Sequence, residues 1–188
     1  MKSLIRILLV TTMIAASAGA SAQQKMVPAQ SEIAFISKQM GVPVDGKFKK
    51  FDAQMSFDPK SPQTSKVSFT VDLLSADIGN AETERELKKP GWFDSSKFPQ
   101  ATFTSTAIKG LGGGKFEVAG KLSIKGNSRD IVVPVSVTQA AGVSTARGEF
   151  TLKRLEFKIG DGEWNDVSIV ANEVVVKFKI AVTGMNPL

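Results

Sequence analysis

Hydrophobic and polar residues alternate with a period of two along most of this chain. Near the C-terminal end, the residues on one predicted strand face are all apolar: Val174, Val176, Phe178, Ile180 and Val182. Because successive side chains of a strand point to opposite faces, this alternation is typical of a half-buried β-strand. The same interpretation predicts further strands over residues 33–37, 48–57, 67–71, 101–108, 116–124, 131–137 and 144–152.

Turn-forming residues separate the predicted strands, and a single segment is predicted to be a helix. Gly126-Asn127 and Ala141-Gly142 are dipeptides typical of tight turns. The predicted helix covers residues 81–89, where glutamates come early and lysines come late, an order that suits the helix dipole. Asn80 is suited to cap the first turn of this helix, and Pro90-Gly91 ends it.

These elements predict an all-β domain, an antiparallel barrel of about eight strands with one short helix. Closing a sheet into a barrel removes the exposed strand edges that would otherwise pair with other chains. An open two-layer sandwich would show the same periodicity and stays as the alternative fold. No linker, low-complexity tract or internal repeat divides residues 23–188, so we expect them to form one domain.

The N-terminal segment has the features of a signal peptide. Lys2 and Arg6 provide a positive start, an apolar stretch follows, and Ala20-Ser21-Ala22 has the small residues of a cleavage site. The apolar stretch is shorter than the roughly 20 residues that a membrane-spanning helix needs. We therefore expect residues 1–22 to be removed after Ala22 and the rest of the chain to be exported.

Composition restricts the chemistry that the domain can perform. The sequence contains no cysteine and no histidine, so it lacks a thiolate nucleophile, the usual general base and the commonest zinc ligand. The formal net charge is +6, but the basic residues form only short clusters, such as Lys153, Arg154 and Lys158. We interpret these clusters as solvated surface, with weak attraction to an anionic membrane as the alternative. They are too sparse to favour nucleic-acid binding.

Two polar segments are candidates for chemistry. Asp161, Glu163 and Asp166 surround Trp164, and grouped carboxylates can bind a hard cation or act as acid and base. The glycines beside them favour a solvated turn instead. The hydroxyl-rich run at residues 102–106 has no histidine to activate a nucleophile. We therefore predict that the domain is not an enzyme and needs no cofactor.

Inward-facing apolar residues in such a barrel either fill its interior or line a cavity. A barrel of about eight strands is just wide enough for either arrangement. The alternation therefore does not distinguish core phenylalanines from the walls of a ligand site. Trp92 and Phe93 follow the predicted helix in a loop, where large aromatic residues would either line the mouth of the barrel or plug it.

Four stretches of the sequence resemble the YceI-like family. They are DGKFKKFDAQMSFDP at residues 45–59, FPQATFTST at 98–106, GKLSIKG at 120–126 and RLEFKIGDGEW at 154–164. They occur in the order found in the family, and the similarity extends over residues 31–182. The segment KQMGVPVDGKF at residues 38–48 is similar to the branch that is associated with cytochrome b561-type membrane proteins.

The resemblance implies a lipocalin-like barrel in the bacterial periplasm that encloses an apolar tunnel for a polyisoprenoid, such as a quinone tail or a polyprenyl chain. The family's head-group contacts are not carried over to this chain, because it has Lys38 where many members have histidine. Many members also carry an Arg-Asp pair at the start of the helix, where this chain has Thr83-Glu84-Arg85-Glu86. Arg85 is the basic residue nearest to the position of that pair.

We therefore predict a non-enzymatic carrier of an isoprenoid lipid, with a cytochrome b561-type membrane protein and the membrane surface as candidate partners. The alternative is a filled barrel that docks on such a membrane partner and binds no lipid. The residues predicted to line the ligand site are Phe35, Phe48, Met55, Val67, Phe69, Trp92, Phe93, Phe103, Val118, Leu122, Val135, Phe150 and Phe178.

Overall fold

The computed structural model describes residues 23–188, and the predicted leader lies outside them. Within this range the chain forms antiparallel strands and one α-helix, α1 (Ala81–Leu87). No helix of the described residues is long and apolar enough to cross a bilayer. The strands are β1 (Lys25–Met26), β2 (Glu32–Gln39), β3 (Val42–Phe48), β4 (Phe51–Ser56), β5 (Lys66–Asp72), β6 (Ala76–Asp77), β7 (Gln100–Gly112), β8 (Lys115–Ile124), β9 (Asn127–Ala140), β10 (Val143–Lys153) and β11 (Glu173–Thr183). Short 3-10 helices cover Pro28–Gln30, Pro62–Thr64, Leu73–Ser75, Arg154–Phe157 and Gly162–Trp164.

The strands of residues 23–188 belong to one curled antiparallel sheet. Its order is β4-β5-β7-β8-β9-β10-β11-β2-β3-β6, and β1 pairs with β11. Only Lys49 and Lys50 separate β3 from β4 in the chain, although these two strands lie near opposite ends of the strand order. The sheet therefore curls back toward its own beginning, and the predicted all-β, lipocalin-like barrel fold is confirmed.

The strand count of the described residues is eleven and not the predicted eight. The strand predicted over residues 48–57 corresponds to β4 and includes only the last residue of β3, so β3 was not predicted. The two strands are separated by a bend at Lys49 and Lys50. The Lys49 backbone N–H donates to the Ser75 carbonyl at 3.1 Å, and the Lys50 N–H donates to the Ser75 hydroxyl at 3.0 Å. The bend is thus bonded to the end of the 3-10 helix Leu73–Ser75, and β3 and β4 are separate strands. The other two additions, β1 and β6, have two residues each, too few to show any alternation.

Four hairpins of the described residues turn through two residues, and in each the second residue is glycine. They are Met40-Gly41, Gly113-Gly114, Lys125-Gly126 and Ala141-Gly142, and both residues of each pair have positive φ. Positive φ at both positions is the geometry of a type I′ turn, whose twist matches that of the flanking strands. Lys125-Gly126 lies one residue before the predicted Gly126-Asn127 turn, whereas the predicted Ala141-Gly142 turn is confirmed.

The predicted helix is present but two residues shorter than expected. The Asn80 side chain accepts hydrogen bonds from the N–H groups of Glu82 and Thr83, which confirms its role as the cap. Lys88 and Lys89 donate to carbonyls only three residues earlier, at 3.3 and 2.9 Å. This tighter turn ends the α-helix at Leu87, ahead of Pro90.

Buried apolar residues form separate clusters at the two ends of the barrel. One cluster includes Leu73, Phe93, Phe157 and Ile159, and we call this end, together with α1, the helix end. The other consists of Phe57, Ile108, Phe116, Val118 and Val137, and we call it the hairpin end because the β7–β8 hairpin lies there. A third cluster on the wall contains Ile33, Ile180 and Val182. The core is therefore distributed around the interior of the barrel.

Candidate ligand-binding cavity

An apolar cavity of about 580 Å³ lies inside the barrel. Every strand longer than two residues contributes to its wall, as does α1. Of its 44 lining residues, only seven are polar: Ser37, Gln39, Glu82, Thr83, Glu86, Thr102 and Arg154. A cavity of this size is typical of small-molecule sites. The barrel is therefore hollow, and the alternative of an interior filled by side chains does not describe this protein.

The residues predicted to line the ligand site all lie on the wall of this cavity. For the eleven of them that lie on strands, the period-two pattern explains why, since inward residues of neighbouring strands share one face of the sheet. Trp92 and Phe93 reach the wall from the segment after α1. Contact of each with a ligand stays a prediction. The residues concerned are Phe35, Phe48, Met55, Val67, Phe69, Trp92, Phe93, Phe103, Val118, Leu122, Val135, Phe150 and Phe178.

Three of these phenylalanine rings lie over glycines of a neighbouring strand. A Cβ atom at Gly46 would overlap the ring of Phe35, and one at Gly148 would overlap the ring of Phe178. A Cβ atom at Gly120 would likewise overlap the ring of Phe103. Because glycine has no side chain, each ring can approach the backbone of the wall and take less of the interior. These pairings help to explain why a barrel rich in phenylalanine keeps an open cavity.

The helix end of the cavity carries both tryptophans of the chain. The rings of Trp92 and Trp164 pack with centroids 5.6 Å apart, and the Asp161 N–H donates to the Gly91 carbonyl at 3.0 Å. Phe93 is buried and its ring lies 6.3 Å from that of Phe48. Phe93 is thus part of the core at this end, whereas Trp92 joins the residues after α1 to the loop around Trp164.

Arg154 is buried, contrary to its interpretation as part of a solvated cluster. Its side chain is 1% exposed, although its neighbours Lys153 and Lys158 are exposed as predicted. Nε donates to the Ala171 carbonyl at 3.1 Å, and the two terminal nitrogens donate to four further carbonyls at 2.6 to 2.9 Å. These four carbonyls belong to Ile159, Gly160, Trp164 and Val170.

The guanidinium group of Arg154 therefore uses all five of its N–H donors on backbone carbonyls. Burial lowers the pKa of Arg154 from its usual value, because the charge is removed from water. Its hydrogen bonds hold the loop of residues 159–171 against the end of β10. The sequence-based interpretation missed this residue because a buried arginine has the same local pattern as an exposed one.

The polar residues of the wall come mainly from two elements at the helix end. Ser37 and Gln39 belong to β2, and Glu82, Thr83 and Glu86 belong to α1. β3 joins the two elements, since it pairs with β2 on one side and with β6, which precedes α1, on the other. The spacing of Glu82, Thr83 and Glu86 places them on one face of a helix, a signal in the sequence that was not used to find them.

The opposite end of the cavity is closed by apolar side chains. Phe57 and Phe116 meet edge to face, with centroids 5.1 Å apart and planes at 81°. Ile108 and Val137 pack against them, and all four residues are buried. An edge-to-face pair of this kind stabilises the fold beyond the area that it buries.

The acidic loop is solvated at Glu163 and Asp166, as predicted, but Trp164 between them lies in a 3-10 helix and packs against Trp92. Asp161 lies 3.6 Å from the ammonium group of Lys125. Hydrogen bonds from Ser168 lower the pKa of Asp166. Among residues 23–188, no three carboxylate, histidine or cysteine side chains are arranged to hold a metal ion.

A curled antiparallel sheet around an apolar cavity, with a helix near one end, defines a lipocalin-like barrel. Within this class, the chain belongs to the YceI-like family. The profile of the YceI-like domain matches residues 25–182, which span nearly all of the described structure.

Relatives with this fold come from several bacteria. Protein YceI of Escherichia coli O157:H7 is 30% identical over 136 residues, 70% of each chain. The crystal structure of BcnA from Burkholderia cenocepacia is 43% identical, covers 84% of this chain and 99% of its own, and superposes with a TM-score of 0.81. A polyisoprenoid-binding domain from Saccharophagus degradans covers 86% of this chain and 98% of its own, at 16% identity and a TM-score of 0.70, and shares the fold.

Proposed function

We propose that this protein is a non-enzymatic periplasmic carrier that holds an isoprenoid lipid inside its barrel. The observation that carries the proposal is the hollow interior, in which 37 of 44 lining residues are apolar. The polyisoprenoid-binding domain from Saccharophagus degradans, which has the same fold, supports the choice of ligand class. The periplasmic location rests on the predicted leader and on the family resemblance.

The hydrophobic effect supplies the driving force for loading from water. Each buried methylene contributes about 0.8 kcal/mol, so even a short isoprenoid tail gains several kcal/mol in a dry cavity. The bilayer offers nearly the same gain, and the protein competes with it only through fit and head-group contacts. This balance suits a carrier that exchanges its ligand with membranes, and it does not suit irreversible storage.

The two ends of the cavity suggest how the ligand lies. The hairpin end presents buried apolar residues such as Phe116 and Ile108, which suit the end of a hydrocarbon tail. The helix end presents Gln39, Thr83 and the carboxylates of α1, which suit a polar head group. We therefore place the tail toward the hairpin end and the head group beside α1.

Exchange with a bilayer requires contact with its surface, and exposed apolar residues lie beside the helix end. Met40 and Val42 are 75% and 63% exposed, and Val167 and Ile169 are 55% and 40% exposed. The Met40 N–H donates to the Ile169 carbonyl at 2.7 Å, so the β2–β3 hairpin and this loop form one patch. Their neighbours Gln39 and Val170 line the cavity. We propose that this patch meets the bilayer during loading.

A matched pair of adjacent residues tests the carrier function. Val133 is 4% exposed and lines the cavity, whereas Val132 is 56% exposed on the outside of the same strand. Val133→Phe adds a ring to the cavity, and Val132→Phe adds the same ring to the outer face. Each variant is exported in cells, purified without detergent and extracted with organic solvent, and the extract is analysed by mass spectrometry.

We expect isoprenoid lipid to be recovered from the wild-type protein and from Val132→Phe, and several-fold less from Val133→Phe. The cavity variant should lose stability by about 1–3 kcal/mol through overpacking, and thermal unfolding shows whether it is still folded. Repeated recovery of no lipid from the wild-type protein would contradict the proposal. Equal recovery from the two variants would show that the lipid is bound elsewhere.

A second pair of variants tests the membrane contact. Val167→Asp introduces a charge into the exposed patch at the helix end, and Leu111→Asp does so at the hairpin end, where Leu111 is 54% exposed. We expect only Val167→Asp to reduce co-sedimentation with phospholipid vesicles. A quinone as the ligand and a cytochrome b561-type protein as the membrane partner stay predictions from the family resemblance.

A further inference from the structure

We infer that the helix end of the cavity selects isoprenoids with an uncharged oxygen-containing head group, such as an alcohol or a quinone, over prenyl phosphates. This inference rests on the proposed carrier function and names the head group that the same site accepts. It follows from the charges and from the uncharged polar side chains of the cavity wall.

Arg154 is the only cation on the cavity wall of the described residues, and its guanidinium group is not free to bind an anion. Three of the lining residues carry charge: Glu82, Glu86 and Arg154. Arg154 already donates all five of its N–H groups to backbone carbonyls. A phosphate would have to break these hydrogen bonds and leave buried carbonyls without a donor, which is costly.

The remaining charges on the wall are negative. Glu82 and Glu86 are one helical turn apart on α1, and both line the cavity. Glu86 forms an ion pair with Lys89, whose ammonium group is exposed and is not part of the wall. The basic residues of the same helix region, Arg85 and Lys88, are exposed and also lie outside the wall. An anionic head group would therefore meet like charges at this end.

An uncharged oxygen fits the same end. Ser37, Gln39 and Thr83 are uncharged polar residues of the wall at this end. A quinone carbonyl or an alcohol oxygen would accept a hydrogen bond from their hydroxyl or amide groups, and an alcohol could also donate to Glu82 or Glu86.

The expected discrimination is moderate because the carboxylates lie at a wet rim. Like charges repel weakly in water and more strongly where water is partly excluded. We therefore expect about a tenfold preference for the neutral ligand, which corresponds to about 1.4 kcal/mol. The preference should decrease with salt, since the Debye length falls from about 30 Å at 0.01 M to about 3 Å at 1 M.

Two ligands with the same tail test the inference: geranylgeraniol and geranylgeranyl diphosphate. Both tryptophans of the chain lie at the helix end, so their fluorescence reports binding there. Dissociation constants are measured at low and high salt for the wild-type protein and for the double variant Glu82→Gln, Glu86→Gln. Glu84→Gln is the control, because Glu84 belongs to α1 but does not line the cavity.

We expect the wild-type protein and Glu84→Gln to bind the alcohol about ten times more tightly than the diphosphate, and the double variant to lose most of this difference. Equal affinities in the wild-type protein at low salt, or tighter binding of the diphosphate, would overturn the inference and leave the carrier function intact. Binding of neither ligand would contradict the carrier function itself. The salt dependence of the wild-type protein gives a test that does not depend on the folding of the variants.

Discussion

The two ends of this barrel are held together by different forces. The hairpin end is closed by apolar contacts, of which the edge-to-face pair of Phe57 and Phe116 is the centre. The helix end depends on hydrogen bonds to the backbone, with Arg154 holding five carbonyls of the loop beside it. A closed apolar end and a polar end built from loops would suit a ligand with a hydrocarbon tail and a polar head.

The difference also bears on where ligands enter. The packed side chains of the hairpin end would all have to move to open a passage there, because close-packed interiors tolerate little displacement. At the helix end, loops and the short α1 surround the cavity, and exposed apolar residues lie next to them. We therefore expect ligands to enter the cavity at the helix end.

The largest effect is expected from Phe116→Ala, which removes one ring of the pair at the hairpin end. Loss of a buried phenylalanine costs about 3–5 kcal/mol, because the cavity that it leaves is only partly filled by its neighbours. Chemical denaturation measures the change, and Leu111→Ala, exposed in the same region, should stay within about 0.5 kcal/mol of the wild type. Tryptophan emission, which reports the helix end, should change little. A large spectral shift in the folded variant would show that the two ends are not independent.

The next largest effect is expected from Arg154→Lys at the helix end. Lysine has three N–H donors and no planar fork, so at least two of the five carbonyls lose their partner. We expect a loss of about 2–3 kcal/mol, because buried polar groups without partners are costly. Amide hydrogen exchange should increase in residues 159–171 before the strands are affected. Arg129→Lys is the control, since Arg129 is exposed and its polar contacts are an ion pair with Glu156 and one hydrogen bond to the Ser128 carbonyl. An equal loss there would contradict the role given to Arg154.

A smaller effect is expected from Gly46→Ala on the wall between the two ends. The added methyl group would meet only side chains, the ring of Phe35 and the methyl of Ile78, and it should push the ring into the cavity. We expect a stability loss of about 1–2 kcal/mol and reduced recovery of bound lipid. Phe35→Leu combined with Gly46→Ala should restore the lipid. Unchanged lipid in the single variant would show that the glycine is not needed to keep the cavity open.

The smallest effect concerns the ion pair at the bend between β3 and β4. Lys49 Nζ lies 2.9 Å from Asp77 Oδ2, and this contact, helped by the Gly79 N–H, lowers the pKa of Asp77 below its usual value of 3.8. The stabilisation is therefore fully present above pH 3.8 and is lost as the pH falls through the lowered pKa. The difference in melting temperature between the wild type and Asp77→Asn should shrink in that acid range. A difference that is independent of pH would exclude this linkage.

Much of the wall could be predicted from the sequence, because alternation is a local property. Val174, Val176 and Phe178 reach the cavity because residues two apart on a strand share one face of the sheet. The helix and its Asn80 cap were predictable from local signals as well. The bend at Lys49 and Lys50 was not, since it depends on hydrogen bonds to Ser75, a residue distant in the chain.

The sequence by itself determined most of the long strands, their inward faces and the helix, because these follow from the spacing of residue types over a few positions. The tertiary structure alone decided that the barrel is hollow, since the free volume depends on how side chains of all strands fit together. It also decided that Arg154 is buried, because its five carbonyl partners come together only when β10 and the loop that follows it have folded. Local pattern fixes which way a side chain points, whereas volume and hydrogen-bond partners are set by segments distant in the chain.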